Sequence, residues 1–224
     1  VNAGASNEIA SPKKIASEAA VQSPRPFAAA PSLKSARAAS GIASLLEARG
    51  PAHVVGHSYG GTVVTVASDR QAPRIRRLVY LDASAPVHGQ AATGAFAEGT
   101  GDKLAEMAAG TDWLLPPLPL HVVGITAPED VAWVEPLRHP HPMRTLHEPA
   151  MLARGDAPPP FPVSYVVHTD KAAMMKLFGV DPLAPFVERA RTLGWRLSFI
   201  DAGHDAMVTH PARVAEVLEA EAAA

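Results

Sequence analysis

Four short apolar runs, each of four or five residues, recur along the chain after residue 50. They are bounded by Gly, Pro or charged residues and are too short for helices, which favours buried strands of a parallel sheet. Helical patterns separate most of them. This alternation predicts an α/β fold with a mostly parallel sheet flanked by helices. The four runs are residues 52–55, 78–81, 163–167 and 197–200.

The intervening helices carry start and stop signals. A helix of about four turns is predicted from Ser35, with apolar side chains on one face and Gly50 at its end. Asp181 and Pro182 match the N-cap and the first position of another helix. A last helix is expected to begin near Pro211. These helices supply the layers that would cover the sheet.

Two segments depart from this alternation. Residues 1–34 are rich in Ala, Ser and Pro without a sustained period, which predicts a low-complexity, disordered segment. Residues 87–161, between the second and third strands, are rich in Gly and Pro, and one short helix is predicted there at 103–109. An insertion of this length inside a domain is typical of a lid. The predicted organisation is therefore one domain over residues 35–224 with a lid insertion.

Composition and charge exclude several function classes. The chain has 224 residues, 20 basic and 22 acidic side chains, a net charge of −2 and no cysteine. Without a basic excess, no nucleic-acid partner is expected, and without cysteine, thiolate nucleophiles and Cys-ligated metals are excluded. No apolar run approaches the roughly 20 residues that cross a bilayer, so no membrane association is expected. The expectation is a soluble, cytoplasmic domain without a cofactor.

A glycine-rich turn lies at the end of the first predicted strand. Residues Gly56 to Gly61 read GHSYGG, and an apolar run at 62–67 predicts a buried helix after them. The order strand, G-x-S-x-G, helix is the context of a nucleophile elbow, in which the serine backbone is strained and the glycines two residues either side avoid collision with it. Ser58 is therefore the candidate nucleophile, and the backbone N–H of Tyr59 is the candidate oxyanion donor. A glycine-rich turn without chemistry is the alternative.

A serine hydroxyl needs a base, and the chain offers ten histidines. His204 is favoured because it follows the last predicted strand, where α/β sheets gather their reacting groups, and His210 is the runner-up. The acid that orients the base is assigned to Asp170, which follows the third strand and lies between Ser58 and His204 in chain order. Asp82, at the end of the second strand, is the alternative acid.

Binding residues are predicted beside the serine and in the insertion, although apolar residues of an insertion can equally pack the insertion itself. A further histidine group, His139 and His141 with His147 beyond, lacks the helical spacing of a metal site, so no metal is expected. The predicted substrate-binding residues are His57, Trp113, Leu114 and Trp133.

Five separated stretches occur in an order found in one enzyme superfamily: VVGHSYGG at 54–61, YLDA at 80–83, DWLLPP at 112–117, TDKA at 169–172 and GHDAM at 203–207. From about Ser35 onward the chain resembles an α/β-hydrolase, and within that superfamily the methylesterase and hydroxynitrile-lyase-like group. The resemblance implies Ser58 as nucleophile, His204 as base and Asp170 as acid. It also implies a small-molecule ester as substrate.

The beginning of the chain departs from the family pattern. Family members begin with several strands and a His-Gly loop that supplies a second oxyanion donor, and nothing in residues 1–34 resembles either. We therefore expect the N-terminal half of the sheet to be missing or replaced. Loss of one oxyanion donor typically costs about 100- to 1000-fold in turnover. The strand at 52–55 would become a sheet edge, which predicts self-association as a homo-oligomer.

Three functions follow from these features. The leading hypothesis is a serine carboxylesterase that hydrolyses small carboxylic esters through Ser58, His204 and Asp170. The alternative is a catalytically impaired hydrolase remnant or a small-molecule binding module, which the missing N-terminal strands favour. A hydroxynitrile lyase is less favoured, because lyases of this group resemble a pattern with Lys after the histidine, whereas Asp205 follows His204 here.

Overall fold

A four-stranded parallel sheet in the order β1-β2-β5-β6 organises the computed structural model, which describes residues 33–224. A separate antiparallel pair joins β3 to β4. The strands are β1 (Ala52–Ser58), β2 (Ile75–Ala83), β3 (Leu114–Leu115), β4 (His141–Pro142), β5 (Val163–His168) and β6 (Arg196–Ile200). The helices are α1 (Leu33–Arg49), α2 (Gly60–Arg70), α3 (Ala92–Ala95), α4 (Thr100–Ala108), α5 (Pro128–Val134), α6 (Arg144–His147), α7 (Ala172–Phe178), α8 (Ala184–Thr192), α9 (Ala206–Thr209) and α10 (Pro211–Ala223).

The central strands of this sheet are buried on both faces, as near-continuous apolar strands require. Every residue of β5 is buried, and so is every residue of β2 except Arg76. On one face Tyr80 and Tyr165 pack with α8, and on the other Val79 and Val166 pack with α10. The strands are parallel, so their carboxyl ends lie at the same edge, where the candidate residues were expected.

The four predicted strands and the α/β class are confirmed. The helix predicted from Ser35 is α1, and Gly50 follows it with φ of +87°. The helix predicted from Pro182 begins two residues later, at Ala184. The reason is local: the Asp181 carboxylate accepts a hydrogen bond from the Leu183 N–H at 3.0 Å and so closes a turn before the helix.

The insertion, residues 84–162 between β2 and β5, contains four short α-helices, two 3₁₀ turns and the β3–β4 pair, whereas the sequence predicted only one helix there. The predicted helix is α4. The others have four to seven residues, too few to show a helical period. The insertion has an apolar cluster of its own, which includes Leu104, Leu115, Met143 and Leu146.

Disorder was predicted for residues 1–34, and residues 1–32 of this segment lie outside the described residues. Within residues 33–224 no strand precedes β1, and β1 pairs with β2 alone. Val55 on this edge strand exposes 42% of its surface. Among the same residues, no helix has both the length and the apolar character needed to cross a membrane.

Candidate active site

Ser58 occupies the turn between β1 and α2. It is the last residue of β1, α2 begins two residues later at Gly60, and the Ser58 backbone has φ of +53°. A non-glycine residue in this left-handed region is strained, and such strain concentrates at functional sites. The strained turn predicted for Ser58 is therefore present.

Two glycines permit the close packing of this turn, but they are not the predicted pair. A Cβ on Gly56 would lie 2.4 Å from the Val64 side chain, and a Cβ on Gly61 would lie 2.1 Å from the Ser84 carbonyl oxygen. Nothing lies within 4 Å of the corresponding position on Gly60. The expectation that Gly60 avoids a collision is wrong, because it is Gly61, the next residue of α2, that packs against the end of β2.

Tyr59 is the N-cap residue of α2, so its backbone N–H lies at the amino end of an 11-residue helix. The helix dipole favours negative charge there. The Tyr59 ring contacts the imidazole of His141 edge to face, with 4.9 Å between ring centroids. Tyr59 thus combines an N–H beside Ser58 with a side chain on the cavity wall.

His204 follows β6 and is buried, with 7% of its surface exposed. Its Nδ1 lies 2.6 Å from Oδ2 of Asp82. Two further imidazoles hold its backbone: Nε2 of His57 and Nδ1 of His168 each lie 3.0 Å from the His204 carbonyl oxygen, and each can donate to it. This loop is therefore fixed by side chains from β1, β2 and β5.

The acid bound to His204 is Asp82, not Asp170. Asp82 is fully buried with φ of +44°, and Nζ of Lys171 also binds both of its carboxylate oxygens. Burial by itself raises the pKa of this carboxyl, but the hydrogen bond and charge of His204 and the charge of Lys171 outweigh it, so the pKa lies below its usual range. An ionised carboxylate only accepts hydrogen bonds, so Nδ1 of His204 donates, and in the neutral imidazole the lone pair is then on Nε2.

The structure does not bring Asp170 to His204. The Asp170 side chain is exposed, and its carboxylate accepts a hydrogen bond from the Ala172 N–H at 3.3 Å in the turn before α7. Its local hydrogen bonding is that of a turn residue. The sequence assignment of the acid is therefore corrected to the alternative, and the buried Lys171 was not identified from the sequence at all.

A cavity of about 270 Å³ lies over this turn, and both Ser58 and His204 line it. His141 of β4 lines it too; its Nε2 lies 2.6 Å from the Thr145 hydroxyl, and burial lowers its pKa. Most of the remaining wall is apolar and comes from the insertion and α7. It includes Phe96, Leu104, Leu115, Leu118, Leu146 and Phe178.

The four predicted substrate-binding residues lie elsewhere. Trp113 and Leu114 each expose 42% of their surface and Trp133 exposes 61%, and none of the three lines the cavity. Leu114 and Leu115 are successive residues of β3, so they face opposite sides, and it is Leu115 that reaches the cavity. His57 packs against the His204 ring, with 4.5 Å between centroids, outside the cavity wall.

Among residues 33–224, one group of potential metal ligands converges: His57, His204 and Asp205 bring ligand atoms within 4.8 Å of one another. Both histidines already have partners, because Nε2 of His57 binds the His204 carbonyl and Nδ1 of His204 binds Asp82. Burial raises the pKa of the Asp205 carboxyl. Burial and the charge of His204 lower the pKa of His57 to about 3, so its imidazole is neutral near pH 7.

The sequence of this chain matches the model of the alpha/beta hydrolase family over residues 19–217. It is 33% identical over 180 residues to a carbendazim hydrolyzing esterase of Nocardioides sp. strain SG-4G, a match that covers 75% of this chain and 69% of that protein.

Solved structures show the same fold. An extracellular alpha/beta-hydrolase from a Paenibacillus species, described as sharing structural and functional homology with tobacco salicylic acid binding protein 2, superposes with a TM-score of 0.62 and 19% identity, covering 80% of this chain and 76% of that one. A polyneuridine aldehyde esterase variant superposes with a TM-score of 0.58 and 14% sequence identity, covering 80% of this chain and 76% of that one. A methylesterase from Arabidopsis superposes with a TM-score of 0.54 and 22% sequence identity, covering 85% of this chain and 78% of that one.

Proposed function

Because this chain belongs to the alpha/beta hydrolase family, we propose that it is a serine carboxylesterase that hydrolyses small carboxylic esters at Ser58. One observation carries the proposal: His204, bound through Nδ1 to the buried Asp82, lines the same cavity as Ser58 at its strained turn. Nucleophile, base and acid then follow the roles of a serine hydrolase triad, with Asp82 in the place first assigned to Asp170.

The chemistry follows from these positions. Ser58 Oγ attacks the ester carbonyl while Nε2 of His204 accepts the hydroxyl proton, and Asp82 stabilises the resulting imidazolium. The Tyr59 N–H donates to the oxyanion. His204 then returns the proton to the departing alcohol. In the second half, His204 removes a proton from water as the water oxygen attacks the acyl carbonyl on Ser58. The bond to Ser58 Oγ then breaks, His204 returns the proton to Oγ, and the carboxylic acid leaves.

The cavity favours small substrates with an apolar group. Its volume of about 270 Å³ and its apolar wall suit a short acyl chain or one small ring system. The Nocardioides relative is named as hydrolysing carbendazim. Carbendazim is a methyl carbamate, and a serine hydroxyl can attack a carbamate carbonyl as it attacks an ester carbonyl. Carbendazim is therefore the second substrate to assay after simple esters. We assign the insertion, residues 84–162, the role of lid over this cavity.

The test is p-nitrophenyl acetate hydrolysis by the folded protein and by Ser58→Ala. We expect kcat/KM to fall at least about 1000-fold in the variant, because the remaining site can only bind substrate. His204→Ala should fall comparably, and His210→Ala, which removes an exposed histidine six positions later, serves as the matched control and should keep the wild-type rate. Equal rates for wild type and Ser58→Ala would leave the binding-module hypothesis instead.

A lyase reaction is disfavoured by the charge beside the base. The carboxylate of Asp205 lies 3.7 Å from Nε2 of His57, next to His204, and an anion there opposes the departure of cyanide. We expect no cyanide release from mandelonitrile above the Ser58→Ala background. Release that depends on Ser58 would favour the lyase.

A further inference from the structure

The carboxylate that orients His204 has a second charged partner, Lys171. Nζ of Lys171 lies 2.5 Å from Oδ1 of Asp82 and also contacts Oδ2, the oxygen that binds His204. Only 8% of Lys171 is exposed. A buried ammonium is costly unless it is paired, so this contact is a fixed part of the site and not a surface ion pair.

The sheet order brings these two charges together. Asp82 lies at the carboxyl end of β2, and β2 pairs directly with β5. Lys171 follows β5 by three residues, at the N-cap position of α7, where its carbonyl accepts the Met175 N–H at 2.8 Å. Its backbone is thus anchored by a helix while its side chain reaches the neighbouring strand end.

The other titratable groups around this pair do not replace the lysine charge. His168 donates its backbone N–H to Asp82 at 3.3 Å, and burial lowers the pKa of its imidazole. Burial also lowers the pKa of His57 to about 3, so both rings are neutral near pH 7. Asp205 adds a carboxylate 3.7 Å from Nε2 of His57, and the charge of Arg138 acts on it. Of the groups acting on Asp82, Lys171 is therefore the cation that persists when His204 is neutral.

We propose that Lys171 is a positioning residue of this site, which holds the Asp82 carboxylate against His204 and offsets its charge. This inference rests on the proposed esterase function. A carboxylate alone stabilises the imidazolium form of its histidine, and an adjacent ammonium reduces that effect. Without the Lys171 charge, the full charge of Asp82 would act on His204, so we expect the esterase to require a higher pH for activity.

The pH dependence of kcat/KM tests this, because a merely structural role would lower the plateau without moving the acidic limb. In Lys171→Met the acidic limb should move to higher pH by about one unit, so that at pH values below both midpoints activity relative to the plateau falls about tenfold. Lys171→Gln removes the charge but keeps an N–H donor, so its limb should move similarly with a smaller loss of plateau rate. Lys176→Met removes an exposed lysine of α7, and its limb should match the wild type.

A second readout does not depend on turnover. The His204 ring signal, assigned by its loss in His204→Gln, is followed by NMR against pH, and its midpoint should lie higher in Lys171→Met and Lys171→Gln than in the wild type. A midpoint that is unchanged or lower in both lysine variants would overturn the inference. Failure of the esterase proposal itself would be seen separately, as hydrolysis that Ser58→Ala does not reduce.

Discussion

Asp82 is a fully buried carboxylate, and its partners account for its ionised state. His204, Lys171 and the backbone N–H of His168 together satisfy its two oxygens. Breaking a buried charge pair by removing one partner typically costs about 3–5 kcal/mol, so each of these groups constrains the others. At the scale of single residues, the site is therefore one hydrogen-bonded unit and not a set of independent side chains.

Exchange of each aspartate for asparagine separates the two candidate acids. Asp82→Asn keeps the shape but removes the charge that stabilises the His204 imidazolium, so kcat for p-nitrophenyl acetate should fall by about 100- to 10,000-fold. Asp170→Asn alters an exposed turn residue and should change kcat less than about twofold. A larger loss in Asp170→Asn than in Asp82→Asn would contradict the assignment.

His57 makes the stability of the protein depend on pH. Its pKa in the folded protein is about 3, against an ordinary value of 6.5, so between these values the unfolded chain binds a proton that the folded chain does not. Above pH 6.5 this group does not lower the free energy of unfolding. Between pH 6.5 and about 3 it lowers the free energy of unfolding by at most about 1.4 kcal/mol for each unit that the pH falls.

Urea denaturation at several pH values between 6.5 and 4 measures this contribution. In His57→Gln, which can still donate an amide hydrogen to the His204 carbonyl, stability should fall more slowly with decreasing pH, by roughly 1 kcal/mol per unit less than in the wild type. Parallel pH profiles for the two proteins would show that His57 is not held neutral by the fold.

The sequence predicted Ser58 and His204, which line one cavity in the structure, but paired His204 with Asp170 instead of Asp82, and the reason lies in these residues. Asp82 and Asp170 both follow strands whose carboxyl ends meet at one edge, so position alone does not separate them. The separating signal is the surroundings: Asp82 directly continues the apolar run Leu78 to Leu81, where a charge must find buried partners, whereas Asp170 lies in a polar turn. Lys171 gave no signal because its pairing depends on the packing of two strands.

The turn between β1 and α2 tolerates alanine differently at its two adjacent glycines. At Gly61 a Cβ would lie 2.1 Å from the Ser84 carbonyl oxygen, so α2 must shift away from β2. A Cβ on Gly60 would have no atom within 4 Å beyond its chain neighbours and its own helix. The close approach of one helix to one strand end is therefore concentrated at a single residue.

We expect Gly61→Ala to lower the free energy of unfolding by about 3 kcal/mol or more, as overpacking against backbone does. Gly60→Ala, at the first residue of α2, should change it by less than about 1 kcal/mol. Urea denaturation curves of both variants measure the difference. Similar destabilisation by the two substitutions would contradict the packing described.

Regular elements were predictable from the sequence because their apolar residues form recognisable patterns. The four strands of the parallel sheet are continuous apolar runs and α1 has one apolar face, and the structure confirms them. The insertion was predicted poorly because its helices are short and its two strands have two residues each. Alternation along β3 directs Leu115 and not Leu114 to the cavity. A strand of two residues is too short for its alternation to be recognised in the sequence.

At the scale of the whole molecule, the described part of the chain leaves β1 paired on one side only. Val55 of this strand exposes 42% of its surface, and an apolar edge strand favours pairing with another chain. We predict concentration-dependent self-association above the 23.4 kDa monomer in sedimentation velocity, and a reduction of it by Val55→Lys. A monomer at every concentration would contradict the self-association expected from the sequence.

The most direct test of the central claim is covalent labelling of the folded protein with a fluorophosphonate, followed by intact-mass and peptide mass spectrometry. The account predicts one adduct per chain, located on Ser58, lost in Ser58→Ala and in urea-unfolded protein, and strongly slowed in His204→Ala and Asp82→Asn. No adduct on Ser58, or labelling that is as fast after unfolding, would show that the strained turn and its histidine do not activate this hydroxyl.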